Sequence, residues 1–418
     1  MKKLKIGIFG AGRGVDLAKN FILQGCEIVG LCDGRKDRLE AGLEDLGIDV
    51  PTFDDFDEFI KLEMDGAIIA NFFNEHAPYL LKCFEKNINV FCECITNVTM
   101  KEGVMLHDAF KKSKSIFMLA ENYPQMIFNR EIRRVCEGGT LGKIMYAEGE
   151  YNHPTATDDL WFLKTYSYYP QHWRNYLPAT YYVTHSLGPI MSATKATPKR
   201  IVAMPVFIPF EGKIPSAKQT ADRAAIMMTL NDDDSVFRFT GCAGFGAHHN
   251  SYRVCGLNGS IENLRGMNDQ VMLRYNSWSI PEGAKETNLY MPKWNDKDEE
   301  LIIKSGHGGA DYLTVRAFLD CLREKRQPEF PFDLKSALVM SSAAILGHRS
   351  LLEKGKPYDI PDFDKEEDRK LYENDDLNPF YGPNGEKPTI PCCSDSNYKA
   401  SEEQIKCFEE YLKQDLKG

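Results

Sequence analysis

Three groups of residues in this 418-residue chain have the types and spacing to do chemistry. The first is Gly10-Ala11-Gly12-Arg13-Gly14, directly behind the apolar run Leu4–Phe9, with Asp33 ending a second apolar run, Glu27–Cys32. Gly10 permits a tight turn and Gly12 lets backbone approach a pyrophosphate. A helix opening there offers unpaired N–H groups and its positive dipole end to that anion. A carboxylate at Asp33 accepts hydrogen bonds from both adenosine ribose hydroxyls and repels a 2′-phosphate, which points to NAD rather than NADP. Arg35, Lys36 and Arg38 lie close enough to take a phosphate, so Arg38 joins the candidate cofactor contacts. Val15 stands where the pattern wants Gly or Ala, with Gly14 one place early. A glycine-rich turn in some other α/β protein, with Asp33 capping a helix, is the plainer alternative. The second group is Tyr181, Tyr182 and His185, which share one side if that stretch is helical. The third is Trp173-Arg174, an apolar platform beside a fixed donor fork. It lies inside an aromatic-rich stretch, Tyr146–Tyr182, that equally suits plain core. Cys92 and Cys94 alternate on one strand face, and His248 and His249 face apart, so no metal site is expected.

The elements that position these residues follow from periodicity. Strands are expected at 4–9, 27–32, 65–70, 88–92 and 115–119, alternating with helices at 16–24, 38–46, 54–62, 77–87 and 99–113. That rhythm specifies a parallel, doubly wound sheet with ligands at the carboxyl ends of its strands. Those ends carry Asn71, Asn74, His76, Glu93, Cys94, Glu121 and Asn122. Near residue 123 the rhythm changes. A helix at 128–137 and an alternating strand at 143–151 precede strands at 201–208, 224–230, 235–240, 252–256, 260–264 and 270–275. Turns such as Asn258-Gly259 between them favour antiparallel pairing. The fold class is therefore α/β: an N-terminal Rossmann sheet and a second α/β domain with a large, open, mostly antiparallel sheet. Residues 1–123, 124–363 and 364–418 divide into a dinucleotide domain, a substrate and oligomerisation domain with further helices at 312–324 and 334–354, and a surface-wrapping extension with a helix at 402–413. An open sheet usually buries its bare face against a copy of itself, so a homo-oligomer is expected.

Composition excludes several classes. Hydrophobic residues make up 43% and charged residues 27%, ordinary for a globular protein. A net charge of −10 argues against nucleic acid and anionic membranes as partners. Twelve cysteines without framework spacing read as free thiols of a reducing compartment, and no apolar run reaches membrane-spanning length. A cytoplasmic location is expected.

The glycine fingerprint with Asp33, then Ala-Asn71-Phe-Phe-Asn74-Glu-His76 and Val-Phe-Cys-Glu93-Cys-Ile, resembles the Gfo/Idh/MocA oxidoreductases, which join an NAD(P)-binding Rossmann domain to an open-sheet α/β domain. The resemblance runs from about Leu4 to Phe363. It is closest to the sugar-ring branch that holds the NAD-dependent α-N-acetylgalactosaminidases and the bacterial glycoside 3-oxidases. The stretches that carry it are Ala120-Glu121-Asn122-Tyr123, Glu148-Gly-Glu-Tyr151, His172-Trp-Arg174, Tyr182-Val-Thr-His185-Ser-Leu-Gly-Pro189, His307-Gly-Gly-Ala-Asp311-Tyr312 and Pro361-Asp-Phe363. Together they look especially like the oxidases of plant C-glycosides. The family's usual Glu-Lys-Pro after strand four is Glu93-Cys94-Ile95 here, so Glu93 can hold the nicotinamide ribose while the lysine's role stands vacant.

The resemblance implies that NAD-dependent oxidation of the C3 hydroxyl of a glycoside begins deglycosylation, with a partner lyase or the same site eliminating the anomeric substituent. His185 matches the catalytic histidine, a base for the hydroxyl proton. Tyr182, Glu121 and Tyr151 match active-site positions. The cofactor contacts implied are Gly10, Gly12, Arg13, Gly14, Asp33, Arg38, Asn71, Asn74, His76, Glu93, Asn122, Trp173 and Arg174. Cys94, His153, Tyr181 and His307 are candidates for touching the substrate. His185 as a helix-face histidine, Glu121 as a helix cap, Tyr151 as a packed aromatic and His307 in a glycine-permitted turn are the plain alternatives. Two rival activities remain open: a complete NAD-dependent glycosidase, and an NAD-binding sensor that has lost catalysis.

Overall fold

In the computed structural model of the chain, residues 3–155, 160–209 and 215–414 are described. Six short strands form the first sheet: β1 (Lys5–Phe9), β2 (Glu27–Cys32), β3 (Thr52–Phe53), β4 (Gly66–Ile69), β5 (Val90–Cys92) and β6 (Phe117–Leu119). Their order is β3-β2-β1-β4-β5-β6 and every pairing is parallel. Ile6, Ile8, Leu31, Ile68, Phe91 and Met118 are almost wholly buried, as a sheet covered on both faces requires. The order reverses between β1 and β4, which opens the crevice at their carboxyl ends. At Gly10, φ is +103° and an added Cβ would lie 2.2 Å from the Ala70 carbonyl oxygen, so no side chain fits between the two strand ends. The helix Arg13–Leu23 starts immediately behind.

The second sheet has nine strands: β7 (Ile144–Asn152), β8 (Pro198–Phe207), β9 (Asp222–Asn231), β10 (Val236–Ala243), β11 (His249–Gly256), β12 (Gly259–Leu264), β13 (Met267–Tyr275), β14 (Thr287–Tyr290) and β15 (Tyr358–Asp359). Their order is β14-β13-β12-β11-β7-β10-β9-β8-β15. All pairings are antiparallel except β7 with β10, so the sheet is mixed as well as mostly antiparallel. The helices Ile127–Glu137, Thr184–Thr194 and Leu334–Leu352 pack on one face. Where Thr184–Thr194 crosses β7, a Cβ at Gly149 would lie 2.0 Å from the Ser186 carbonyl oxygen. That bare backbone lets the helix carrying His185 press onto the sheet. The other face exposes Met204, Met228 and Leu230. Among the described residues no helix is long and apolar enough to cross a membrane, and all twelve cysteines are free.

Several expectations are corrected. Tyr181 and Tyr182 do not share a helix face with His185. The helix begins at Thr184, and the Tyr181 N–H bonds back to Pro178 in a turn. Cys94 lies beyond the end of β5, so it does not alternate with Cys92 on a strand, and His248 precedes β11. Six short elements gave no periodic signal: β3, β14, β15, and the helices Leu160–Tyr166, Glu299–Lys304 and Glu366–Tyr372. None exceeds seven residues, too few for a repeat to register. The helix Ala310–Glu324, placed by sequence in the second domain, returns to the first. Its Val315, Phe318 and Leu319 pack with Phe21, Phe91 and Ile68 in one core.

Candidate active site

His185 sits in the first turn of the helix Thr184–Thr194. Its Nδ1 lies 2.9 Å from both carboxylate oxygens of Glu121, which follows β6. A carboxylate only accepts, so Nδ1 carries a proton, and in the neutral ring the lone pair lies on Nε2. Tyr123 stacks on the imidazole at 4.0 Å between centroids, and the edges of Tyr151 and Tyr182 meet it at 5.0 and 5.2 Å. The Tyr252 hydroxyl donates to the His185 carbonyl at 2.6 Å and fixes the backbone. This ring has one orientation, set by a charge and three aromatic neighbours.

Glu121 is 1% exposed. Burial pushes its carboxyl up, yet His185, Thr184 and the Tyr123 N–H hold it below the usual carboxylate range. The Cys94 thiol donates to Glu121 at 3.4 Å from the far side. Burial, then the Glu121 and Glu93 charges, push that thiol well above its ordinary value, so it stays protonated. Burial likewise pushes the phenols of Tyr123, Tyr151 and Tyr182 up, leaving them as donors.

A second constellation joins the turn behind β1 to the helix Ala310–Glu324. Arg13 makes a bidentate pair with Asp311 at 2.7 and 3.0 Å, and its Nε reaches Glu93 at 3.0 Å. Asn122 Nδ2 donates to Asp311 at 2.7 Å, and His307 Nδ1 lies 3.0 Å from the same carboxylate. Asp311 is 2% exposed, and despite burial the His307 and Arg13 bonds hold its carboxyl far below the usual range. Opposite Glu93 and Asp311, the Arg13 guanidinium is pushed above its ordinary value despite burial. In the sequence Asp311 stands out only as part of the motif His307-Gly-Gly-Ala-Asp311-Tyr312. Its spacing of four from His307 at a helix start is the signal that could have singled it out.

Two connected cavities occupy the crevice. One of about 810 Å³ is lined by Gly12, Arg13, Glu93, Asn122, Tyr151, His153, Arg174, Tyr182, His185 and His307. The other, about 480 Å³, is lined by Gly10, Gly12, Asp33, Arg38, Asn71, Trp173 and Arg174, with Phe72, Tyr79 and Tyr168 missed in the sequence. Asp33 is held in place by the Ala11 and Arg35 N–H groups at 2.8 and 3.0 Å. Arg38 spans the crevice to the Thr165 carbonyl at 3.1 Å. Trp173 stacks on Phe73 at 5.1 Å, at the nucleotide end. The residues present fit a dinucleotide. The helix behind Gly12 has no side-chain cap, Gly12 leaves open space beside it, and the buried Oδ1 of Asn71 lacks a partner.

Other expected contacts do not reach the cavities. Tyr181 is wholly buried, donates to the Val98 carbonyl at 3.1 Å and packs on Phe380 of the C-terminal extension. Cys94 is buried against Glu121 and lines neither cavity. Glu121 itself touches the cavity only through His185. His76 is buried against the Ile95 carbonyl at 2.6 Å, with its ring pushed down by burial. Asn74 turns its Oδ1 into a buried, unpartnered position. Gly14 packs the helix on β1, where a Cβ would lie 2.9 Å from Ile8. Among the described residues no group of three metal-ligating side chains occurs.

Residues 4–121 match the model of the oxidoreductase family with NAD-binding Rossmann fold. Those residues are a Gfo/Idh/MocA oxidoreductase domain. Residues 247–369 match the glycosyl hydrolase 109 C-terminal domain. A glycosyl hydrolase family 109 protein of Streptomyces filamentosus is 24% identical over 401 residues, covering 88% of this chain and 78% of that protein. One from Shewanella sp. (strain W3-18-1) is 22% identical over 415 residues, covering 87% and 85%. Levoglucosan dehydrogenase in complex with NADH and L-sorbose has the same fold, with a TM-score of 0.72 at 15% identity over 86% of this chain and all of that one. Aldose-aldose oxidoreductase from Caulobacter crescentus superposes with a TM-score of 0.66 at 15% identity, over the same shares. This oxidoreductase is NAD-dependent.

Proposed function

We propose that the protein oxidises the C3 hydroxyl of a glycoside sugar to a 3-keto-glycoside. The observation that carries this reading is the His185–Glu121 pair, with Nε2 open to the cavity that Gly12, Arg13 and Glu93 also line. NAD, when bound, supplies the hydride acceptor. Gly10, Gly12, Asp33 and Asn71 would hold its adenosine and pyrophosphate, and Arg13, Glu93 and Asn122 would flank its nicotinamide end. His185 Nε2 takes the hydroxyl proton as the C–H hydride leaves, so the alcohol loses one proton and one hydride and becomes a ketone. Glu121 stabilises the imidazolium that forms and keeps Nε2 turned to the cavity. The Tyr151 and Tyr182 phenols orient the hydroxyl as donors. The family's lysine has no successor at Cys94, so proton transfer rests on His185. That the substrate is a sugar is supported by what the fold's neighbours and the relatives act on.

A complete glycosidase is the second reading, favoured by the match of residues 247–369. Its chemistry starts with the same oxidation, since a ketone acidifies the adjacent C2–H and permits elimination of the anomeric substituent. Product mass separates the two. Incubated with NAD and a panel of O- and C-glycosides, an oxidase yields a glycoside lighter by two hydrogens, and a glycosidase yields free sugar. His185→Asn keeps NAD affinity and lowers turnover about 10²–10⁴-fold. Near-normal turnover in that variant would place the base elsewhere. Tight NAD binding with neither product would leave the non-catalytic sensor standing.

A further inference from the structure

A third cavity, about 170 Å³, continues the reaction cavity away from His185. The two share His153, Arg174, Leu177, Tyr182 and Cys242, so a substrate held at His185 extends into it. Its walls carry Arg174, Lys218 and Arg223, the last bonded through Nε to the Ile208 carbonyl at 3.2 Å. Among the described residues neither Arg174 nor Lys218 has a carboxylate partner. Arg174 lies over the Trp173 ring at 4.4 Å, and only its backbone N–H makes a hydrogen bond. Asp222, the lining carboxylate among the described residues, is already engaged by the Ser394 N–H at 2.7 Å and the Ser394 hydroxyl. Burial, then the Arg223 and Arg174 charges, push Lys218 below its ordinary value. Burial does the same to Arg174. Half-buried cations without a counter-charge are costly, and an oxyanion seated between them offsets that cost.

The loop that bears Lys218 is braced. Gln219 N–H donates to the Asn175 carbonyl at 2.7 Å, and the Lys218 N–H to Ser216 Oγ at 3.2 Å. The C-terminal extension clamps it from outside: Cys392 Sγ reaches the Gln219 carbonyl at 3.3 Å, and Phe408 packs on Ala217. The ammonium is thus delivered to one place.

We infer that the Arg174–Lys218 cavity is a subsite for an oxyanion, so that the preferred substrate is an anionic glycoside whose carboxylate or phosphoryl group sits there while its sugar hydroxyl meets His185. This inference rests on the glycoside reading above. A charge-assisted bond to a buried oxyanion contributes about 1.5–3 kcal/mol, or roughly ten- to a hundredfold in affinity.

The test is calorimetric binding to the NADH-loaded protein of three probes: methyl glucoside, methyl glucosiduronate and methyl glucoside 6-phosphate. Expected is at least tenfold tighter binding of one anionic probe than of the neutral one. The uronate arm and the phosphate arm tell a carboxylate from a phosphoryl group. Lys218→Met should bring the preference down toward unity and Lys218→Arg should retain most of it, with NADH affinity reporting that both variants are folded. Equal binding of all three probes by the wild type, or a preference that survives Lys218→Met, overturns the inference. The same probes incubated with NAD separate the two readings. Anion preference without any ketone formed refutes the oxidase and leaves the subsite, whereas ketone formed without anion preference does the reverse.

Discussion

Asp311 decides more at the residue scale than its place in the sequence suggests. It joins Arg13 at the head of the first domain's helix to Asn122 and His307, so one buried carboxylate couples the Rossmann turn to the second sheet's connections. Removing one partner of a buried ion pair leaves the other uncompensated, a loss of about 3–5 kcal/mol. Asp311→Asn should therefore lower the melting temperature at neutral pH. The pH dependence follows from the depressed native pKa of Asp311. Such a carboxylate stabilises the fold above its unfolded value, about 3.9, and that contribution is lost as pH falls through the lower native value. The gap in melting temperature between wild type and variant should be full at neutral pH and shrink on acidification. A gap that does not depend on pH would mean that the charge contributes nothing.

At the scale of the element, the turn from β1 into the helix Arg13–Leu23 holds the cofactor specificity. Gly10 lies against the Ala70 carbonyl, which brings the β1 and β4 ends close, and the Ala11 and Arg35 N–H groups orient Asp33 between them. Asp33→Ala should weaken NAD binding and narrow the gap between NAD and NADP, because the carboxylate both accepts from the ribose and repels a 2′-phosphate. Dissociation constants for the two cofactors check this. Unchanged discrimination would show that Arg35 and Arg38, on the neighbouring turn, set the preference instead.

For the whole molecule, the uncovered face of the nine-stranded sheet is the feature that one chain leaves unfinished. Met204, Met228 and Leu230 are each more than 40% exposed on neighbouring strands. Beside them Glu148 and Glu150 pair with Arg238, Arg253 and Arg265. An apolar patch rimmed by charges of both signs suits an isologous contact with a second copy, each sign meeting its opposite across the axis. Light scattering should give a multiple of the 47.5 kDa chain mass. Met228→Asp with Met204→Asp should shift that mass toward the single chain. A wild type that is monomeric at micromolar concentration would dismiss the second copy.

How much of this was legible in the sequence differs from residue to residue. The Rossmann half was readable because its signals are local. Buried parallel strands are continuous apolar runs, and Gly10, Gly12 and Asp33 sit at fixed offsets from them. His185, Tyr151 and Arg174 were identified by motif, and all three line one cavity. Distances across the fold were not readable. Nothing in the chain order puts Glu121 against His185, Asp311 against Arg13 or Lys218 beside Arg174, since each pair is brought together by the packing of separate elements. The same limit explains Tyr181 and Cys94. Their sequence neighbours are active-site residues, but Tyr181 is turned into the core by Phe380 and Val98, and Cys94 is held against Glu121 outside the cavities. Sequence fixes which groups are available and the local turn each sits on. Which of them face one space is decided by long-range packing, because burial and pairing depend on contacts that no local window contains.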